Sequence, residues 1–188
     1  MQDTWRIPRW FDPQLYVRTS EIDGSGVFTR RPFAVGDEVM RWGGLVVPRS
    51  QFTPARFRSR STTAYDAEHW LTEVNDAPPL MDDMLNHGCD PNVWMSDTVT
   101  VVARRPIAAD EEILIDAALY LDEPDYVHAD PCRCGSPLCR REIRGYDWQR
   151  PELQVRYAGH FCTFLNDRIA ALTTRAPSSR VRAPGRPA

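Results

Sequence analysis

The chain has 188 residues and a mass of 21.5 kDa, 42% of them hydrophobic and 26% charged, the size of one globular domain. No run approaches the roughly 20 apolar residues of a membrane span. Met1–Trp10 carries Arg6 and Arg9 with no apolar stretch behind them, so no signal peptide is expected and a cytoplasmic location is. The net charge is −3 and all 23 basic residues are Arg, as a GC-rich coding genome would produce. Four of those Arg and no acid fall in residues 173–188, so the body is more acidic than the whole. That argues against a nucleic-acid-binding surface and favours basic partners.

With 10 Gly and 16 Pro the chain is rich in turns, which predicts a mainly β fold of short strands. Residues 1–14, rich in Trp, Pro and Arg, read as an N-terminal arm. Strands are predicted at Leu15–Arg18, Val27–Arg30, Glu38–Trp42 and Leu45–Val47, with turn signals at Asp23–Gly26, Gly36–Asp37 and Gly43–Gly44 between them. Residues 48–64 are polar and basic, with Arg49, Arg56, Arg58 and Arg60, and read as an exposed loop. Tyr65–Val74 is an apolar-spaced segment, and Met81–Leu85 suits a short helical turn. Val93–Met95, Val99–Ala103 and Ile113–Asp116 are further strand candidates. Asp122, Glu123, Asp125 and Asp130 lie in an acidic, Pro-punctuated loop at 121–131. Pro151 then opens a segment in which Leu153, Tyr157, Phe161, Phe164, Leu165, Ile169 and Leu172 recur at helical spacing. One amphipathic helix is predicted over Pro151–Leu172. Residues 173–188 have little to bury and should be disordered.

Five cysteines without an export signal speak for metal ligation rather than disulfides. Cys132-Arg-Cys134-Gly-Ser-Pro-Leu-Cys139 places three thiols on a Gly/Pro turn, where they can converge within the roughly 2.3 Å reach of Zn²⁺. A closed structural site needs a fourth ligand. Cys162 sits between Phe161 and Phe164 and reads as a small core residue. Cys89 sits in the polar turn Asn86-His87-Gly88-Cys89-Asp90-Pro91-Asn92, where a thiol has little packing reason to be, and is assigned as that ligand.

With these segments in order, the chain resembles the SET-domain family of protein-lysine methyltransferases. Asp23-Gly24-Ser25-Gly26-Val27-Phe28 is similar to the family's glycine-rich strand start. Asn86–Asn92 resembles its signature turn, with Gly88 where Ser is usual, and Asp110–Asp116 resembles its closing motif. Cys132–Cys139 resembles the post-SET zinc segment. The resemblance implies a compact bacterial member without a pre-SET cluster, since no Cys precedes Cys89. Its boundaries would be a SET domain at 15–127, a post-SET segment at 128–148, a C-terminal helix segment at 149–172 and the tail at 173–188. It further implies a set of small sheets with a threaded C-terminal motif. The implied cofactor is S-adenosylmethionine, bound by Gly24, Ser25, Gly26, Val27, Asn86 and His87, with Leu138 and Ile143 on the adenine side. Residue chemistry agrees: a Gly-Ser-Gly turn lets backbone amides approach a carboxylate, and Asn86 offers both a donor and an acceptor.

One position departs from the family. Where its members carry a catalytic Tyr directly after the residue matching Asp116, this chain has Ala117. That hydroxyl helps align methyl and amine, and losing such a contact should cost ~10²–10³-fold. Three readings are open: a substituted, inactive variant; transfer of the role to Tyr120 or Tyr65; or cofactor binding without lysine methylation. Alternation along a strand puts residues 117 and 120 on opposite faces, so Tyr120 can substitute only if a turn intervenes. The resulting expectation is an S-adenosylmethionine-dependent methyltransferase acting on the ε-amine of a lysine in a basic protein or peptide segment. The alternatives are a catalytically silent cofactor-binding module and a methyltransferase of a small molecule. No membrane and no direct nucleic-acid partner is expected.

Overall fold

A computed structural model describes residues 4–58 and 62–175. Its sheets are small because its strands are short and punctuated by Gly and Pro. One sheet has the order β1(Trp5–Ile7)-β6(Gly44–Pro48)-β8(His69–Thr72)-β7(Thr63–Ala64). A second has the order β10(Val93–Met95)-β11(Thr100–Ala103)-β5(Glu38–Arg41)-β2(Trp10–Phe11). The hairpin of β3(Leu15–Thr19) and β4(Ser25–Thr29) runs in unbroken register from Leu15 opposite Thr29 to Thr19 opposite Ser25. Valines and isoleucines supply most strand interiors, where branched side chains pack well on a pleated surface. Val27, Val39, Met40, Val46, Val93, Met95, Val101 and Ile113 are fully buried between the sheets. The mainly β architecture expected from the composition is the one observed.

The pair that matters most for the site is parallel. Leu114–Ile115, β12, pairs with Asn86–His87, β9, through Leu114 opposite Asn86 and Ile115 opposite His87. Asn92 secures this pairing: its side-chain amide donates to the Glu112 carbonyl at 2.7 Å, and its Oδ1 accepts from Leu114 N at 2.8 Å. The signature turn and the closing motif are thereby set side by side.

Three expectations change. The described part of the expected N-terminal arm, residues 4–14, is tied into the fold. β1 pairs with β6 and β2 with β5, and Arg6 and Arg9 both bond to the buried Glu73. Strands of two or three residues are too short for any periodic signal. The single helix over Pro151–Leu172 is two helices, α1(Pro151–Arg156) and α2(Thr163–Arg175). Gly159, at φ +78°, takes a left-handed backbone that a helix interior cannot hold, and Cys162 N donates to Leu119 O in the gap. Leu153, Tyr157, Phe161 and Leu165 stay buried, so the apolar spacing survives the break. Finally, the described residues of 48–64 are not a loose loop: Phe57 is buried, Arg49 and Arg58 are bonded to Asp122 and Asp83, and Thr63–Ala64 is a strand. Arg60 lies outside the described residues. So does most of the tail expected to be disordered, from 176 onward, while 173–175 continue α2.

Candidate active site

Four sulfurs converge. The Sγ atoms of Cys89, Cys132, Cys134 and Cys139 all lie within 4.8 Å of one another, with Cys89 and Cys132 4.0 Å apart. A tetrahedron with zinc–sulfur bonds of about 2.3 Å has edges of about 3.8 Å, so this donor set could hold a zinc ion. Burial pushes the Cys89 and Cys132 thiols up, Cys132 to about 11, so a nearby cation is what would keep them as thiolates. Cys162 is fully buried elsewhere, in the main core. Arg140 N donates to Cys89 Sγ at 3.3 Å.

Arg140 also closes the site from beneath. Its guanidinium forks onto Asp116 at 2.6 and 2.7 Å and bonds Asp147 at 3.1 Å. Asp116 has no exposed side-chain surface and also accepts from the Tyr157 hydroxyl at 3.0 Å and from Ala118 N at 2.9 Å. Burial is the largest influence and would raise its carboxyl; the Arg140 bonds, with the Ala118 amide and the other groups around it, together hold it below the usual range. Neither Arg140 nor Tyr157 stands out in the sequence as a site residue. The one local cue is that Arg140 directly follows the last cysteine of the cluster.

His87 is neutral: burial lowers it to about 4. Its Nδ1 accepts from Ala117 N at 3.1 Å, so the ring proton sits on Nε2, which lies 3.2 Å from Cys89 Sγ and donates to it. The 3.8 Å approach of Nδ1 to Asp116 is therefore no ion pair. His87 joins the cysteine cluster to the closing motif through both ring nitrogens.

Asn86 has its amide nitrogen committed to Asp23 O and Ser25 O, each at 3.1 Å, and to Glu112 Oε1 at 2.8 Å. It therefore ties the glycine turn to β9, and its oxygen, rather than its donor, is what it can offer a ligand. Glu112 also accepts from Ser20 Oγ at 2.9 Å. A Cβ at Gly26 would overlap the Glu112 carboxylate, which explains the glycine there.

These elements frame a cleft lined by Ile22, Asp23, Asn86, His87, Cys132 and Ile143, among others. Of the residues expected to bind cofactor, Asn86, His87 and Ile143 line it, while Gly24 ends the adjoining turn and Ser25 and Gly26 begin β4. Val27 is fully buried behind it, and Leu138 is 45% exposed and outside it. A second cavity is bordered by Trp42, Leu71, Asp82, Leu85 and Tyr120. Leu85 borders one space, and the next two residues, Asn86 and His87, border the other.

Ala117 and Tyr120 are related by a turn. Ala117–Leu119 form a 3₁₀ turn capped by Asp116, and Tyr120 N donates to Ala117 O at 3.2 Å. At three residues per turn, residue 120 comes back over residue 117, so the strand alternation that would separate them does not apply. Tyr120 packs against both the cluster holding Ala117, Cys89 and Ile143 and the main core, with its ring edge-on to Trp42 at 4.8 Å. Burial raises its phenol. Tyr65 is not part of this arrangement; it packs edge-on to Trp5 at 5.7 Å and borders neither space. The acidic loop is also divided. Asp122 is buried and gripped by Arg49 and Arg168, whereas Asp125 and Asp130 are exposed.

Comparison with known proteins agrees with this geometry. The SET domain family profile matches residues 24–116. The chain is 30% identical over 138 residues to the histone-lysine N-methyltransferase ash1 of Drosophila melanogaster, a match covering 65% of this chain and 6% of that protein. It is 26% identical over 152 residues to histone-lysine N-methyltransferase trr of the same organism, covering 75% and 6%. With histone-lysine N-methyltransferase 2B of Homo sapiens it shares 27% identity over 142 residues, covering 66% and 5%. The chain thus spans only a small fraction of the length of these relatives. The matched segment holds the glycine turn, the signature turn and the closing motif described above, and the chain belongs to the SET-domain family.

Proposed function

We propose that the chain is an S-adenosylmethionine-dependent methyltransferase acting on the ε-amine of a protein lysine, with a structural Zn²⁺ on Cys89, Cys132, Cys134 and Cys139. The observation that carries this reading is the pair of spaces bordering Leu85–His87, with the Ala117–Tyr120 turn packed between them. When bound, the cofactor would supply a methyl group on a sulfonium, for in-line transfer to an amine nitrogen with the sulfide as leaving group.

The residues divide the work. Asn86 and His87 offer the cofactor an amide oxygen and backbone, held by Glu112 and by the His87–Ala117 bond. Ile143 gives an apolar wall, and the thiolate cluster keeps the 132–143 segment in place over the cleft. The aromatic edges of Trp42 and Tyr120 suit the methylene stem of a lysine, and the Tyr120 hydroxyl, returned to the side of Ala117, is the phenol available to align the methyl. Exposed Asp125 and Asp130 favour a basic segment.

The test is transfer of labelled methyl from S-adenosylmethionine to proteins of a bacterial lysate and to basic peptides, with cofactor binding followed separately by calorimetry. Label on lysine supports the reading. Tight cofactor binding with no label on any protein, by the chain or by Ala117→Tyr, refutes it and supports a silent binding module, the alternative that Ala117 itself favours. Label on free amines but not on peptides would mark a small-molecule enzyme.

A further inference from the structure

The second cavity contains an unmet acceptor and an unmet donor. Asp82 Oδ2 accepts from Arg9 Nε at 3.1 Å, which holds the carboxylate in one orientation. Its other oxygen, Oδ1, is buried and has no partner among the described residues. The side chain is 14% exposed. Trp42, 7% exposed, borders the same cavity with its indole Nε1 also buried and unpaired. An unsatisfied buried polar atom costs about 1–3 kcal/mol, so two on one cavity point to a polar occupant. The remaining walls are Gly43, Thr63, Leu71, Leu85 and the Tyr120 ring, with Arg9 and Asp83, whose charges are met by Glu73 and Arg58. Leu71, Leu85 and the Trp42 and Tyr120 rings suit the methylene stem of an alkylammonium group, and the unpartnered oxygen of Asp82 suits its head.

We propose that Asp82 is the catalytic base of this site: its free Oδ1 receives the target ammonium and takes the proton that must leave before methyl transfer. This rests on the methyltransferase reading above. The N–H bond breaks and an O–H bond forms on Oδ1, while the electron pair stays on nitrogen. That pair then forms the N–CH₃ bond as the S–CH₃ bond of the sulfonium breaks, its pair going to sulfur, and the proton passes from Asp82 to solvent. The electrostatics run the right way at both partners. Burial first, then the neighbouring Asp83, raises the Asp82 carboxyl against the opposing pull of Arg9. A sulfonium beside the amine lowers the amine's affinity for its proton. Among the described residues, the charged and titratable groups around Asp82 are Arg9 with its partner Glu73, Asp83 with its partner Arg58, and the Tyr120 phenol.

The test uses the full chain labelled with ¹⁵N and ¹³C and n-butylamine, protonated at neutral pH, as the probe. The Trp42 indole N–H, assigned with Trp42→Phe, and the Asp82 carboxyl carbon should both shift on titration. Asp82→Asn, whose amide oxygen can still accept from Arg9, should weaken butylammonium at least tenfold and leave n-butanol unaffected. Equal butylammonium affinity in the two proteins overturns the proposal. Should Asp82→Asn fail to fold, wild type decides: its affinity for butylammonium must fall as pH is lowered through the titration of the Asp82 carbon, and a flat affinity overturns the proposal. With cofactor and a lysine peptide, Asp82→Asn should lose about 10²-fold in kcat together with the acidic limb of the pH profile. Calorimetry with S-adenosylmethionine separates the two claims. Loss of cofactor binding by wild type sinks the methyltransferase reading. Intact cofactor binding with an unchanged Asp82→Asn sinks only the role of Asp82.

Discussion

At the scale of single residues, the proposed activity turns on Ala117 and Tyr120. The 3₁₀ turn returns Tyr120 to the side of Ala117, so Tyr120→Phe should lower kcat by about 10²-fold while leaving the cofactor Kd unchanged, measured by methyl transfer and calorimetry. An unaltered kcat would show that the phenol takes no part. Gly26 makes a separate claim. Gly26→Ala pushes a methyl group into Glu112 and so dislodges Asn86, which should weaken S-adenosylmethionine about tenfold, the worth of one ligand hydrogen bond. The buried Arg140–Asp116 pair is a matter of stability. Asp116→Ala strands a guanidinium that is only 5% exposed and should cost about 3–5 kcal/mol in urea unfolding, an effect that pairing Arg140 with Asp147 alone would not offset.

Elements are held together here by charge as much as by apolar contact. Glu73, at the end of β8, receives Arg6 and Arg9 from the strands at the chain's start. The Arg6 bonds, opposed by burial, lower its carboxyl to about 2 from 4.5. Because the folded value is the lower one, the stability Glu73 contributes is complete above pH 4.5 and is lost as pH falls from there towards 2. Glu73→Gln should therefore be less stable than wild type at pH 6, and the difference should shrink steadily on acidification; a pH-independent difference would deny the linkage. The helix at the C-terminal end is docked by a similar device. Asp122 joins Arg168 on α2 to Arg49, whose guanidinium lies 3.7 Å over the Trp70 ring.

At the scale of the whole molecule, the cysteine cluster joins segments some 45 residues apart. Purified protein should contain one zinc per chain, and chelation should lower the Tm and the cofactor affinity together, because the same segment contributes Cys132 and Ile143 to the cleft. Cys89→Ser should reproduce both effects, whereas Cys162→Ser should change stability alone, since Cys162 lies in the main core. A zinc content near zero in active protein would remove the metal from the account. The strands from Leu15 to Val47 were legible because turn residues punctuate them, and the cysteine spacing announced its own chemistry. The helix break was not, since Gly159 interrupts a segment whose apolar spacing continues across it.

What the sequence determined by itself is whatever depends on residue type at short range: short strands, four thiols able to share a metal, and the glycine turn. Tertiary structure alone decided which groups meet across long stretches of chain. Arg6 reaches Glu73 across 67 residues, Asn86 reaches Glu112 across 26, and Arg140 reaches Asp116 across 24. It also left one oxygen of Asp82 without a partner among the described residues, beside an aromatic wall. Such meetings follow from how separate sheets pack, and sheet packing leaves no periodic mark on the local sequence.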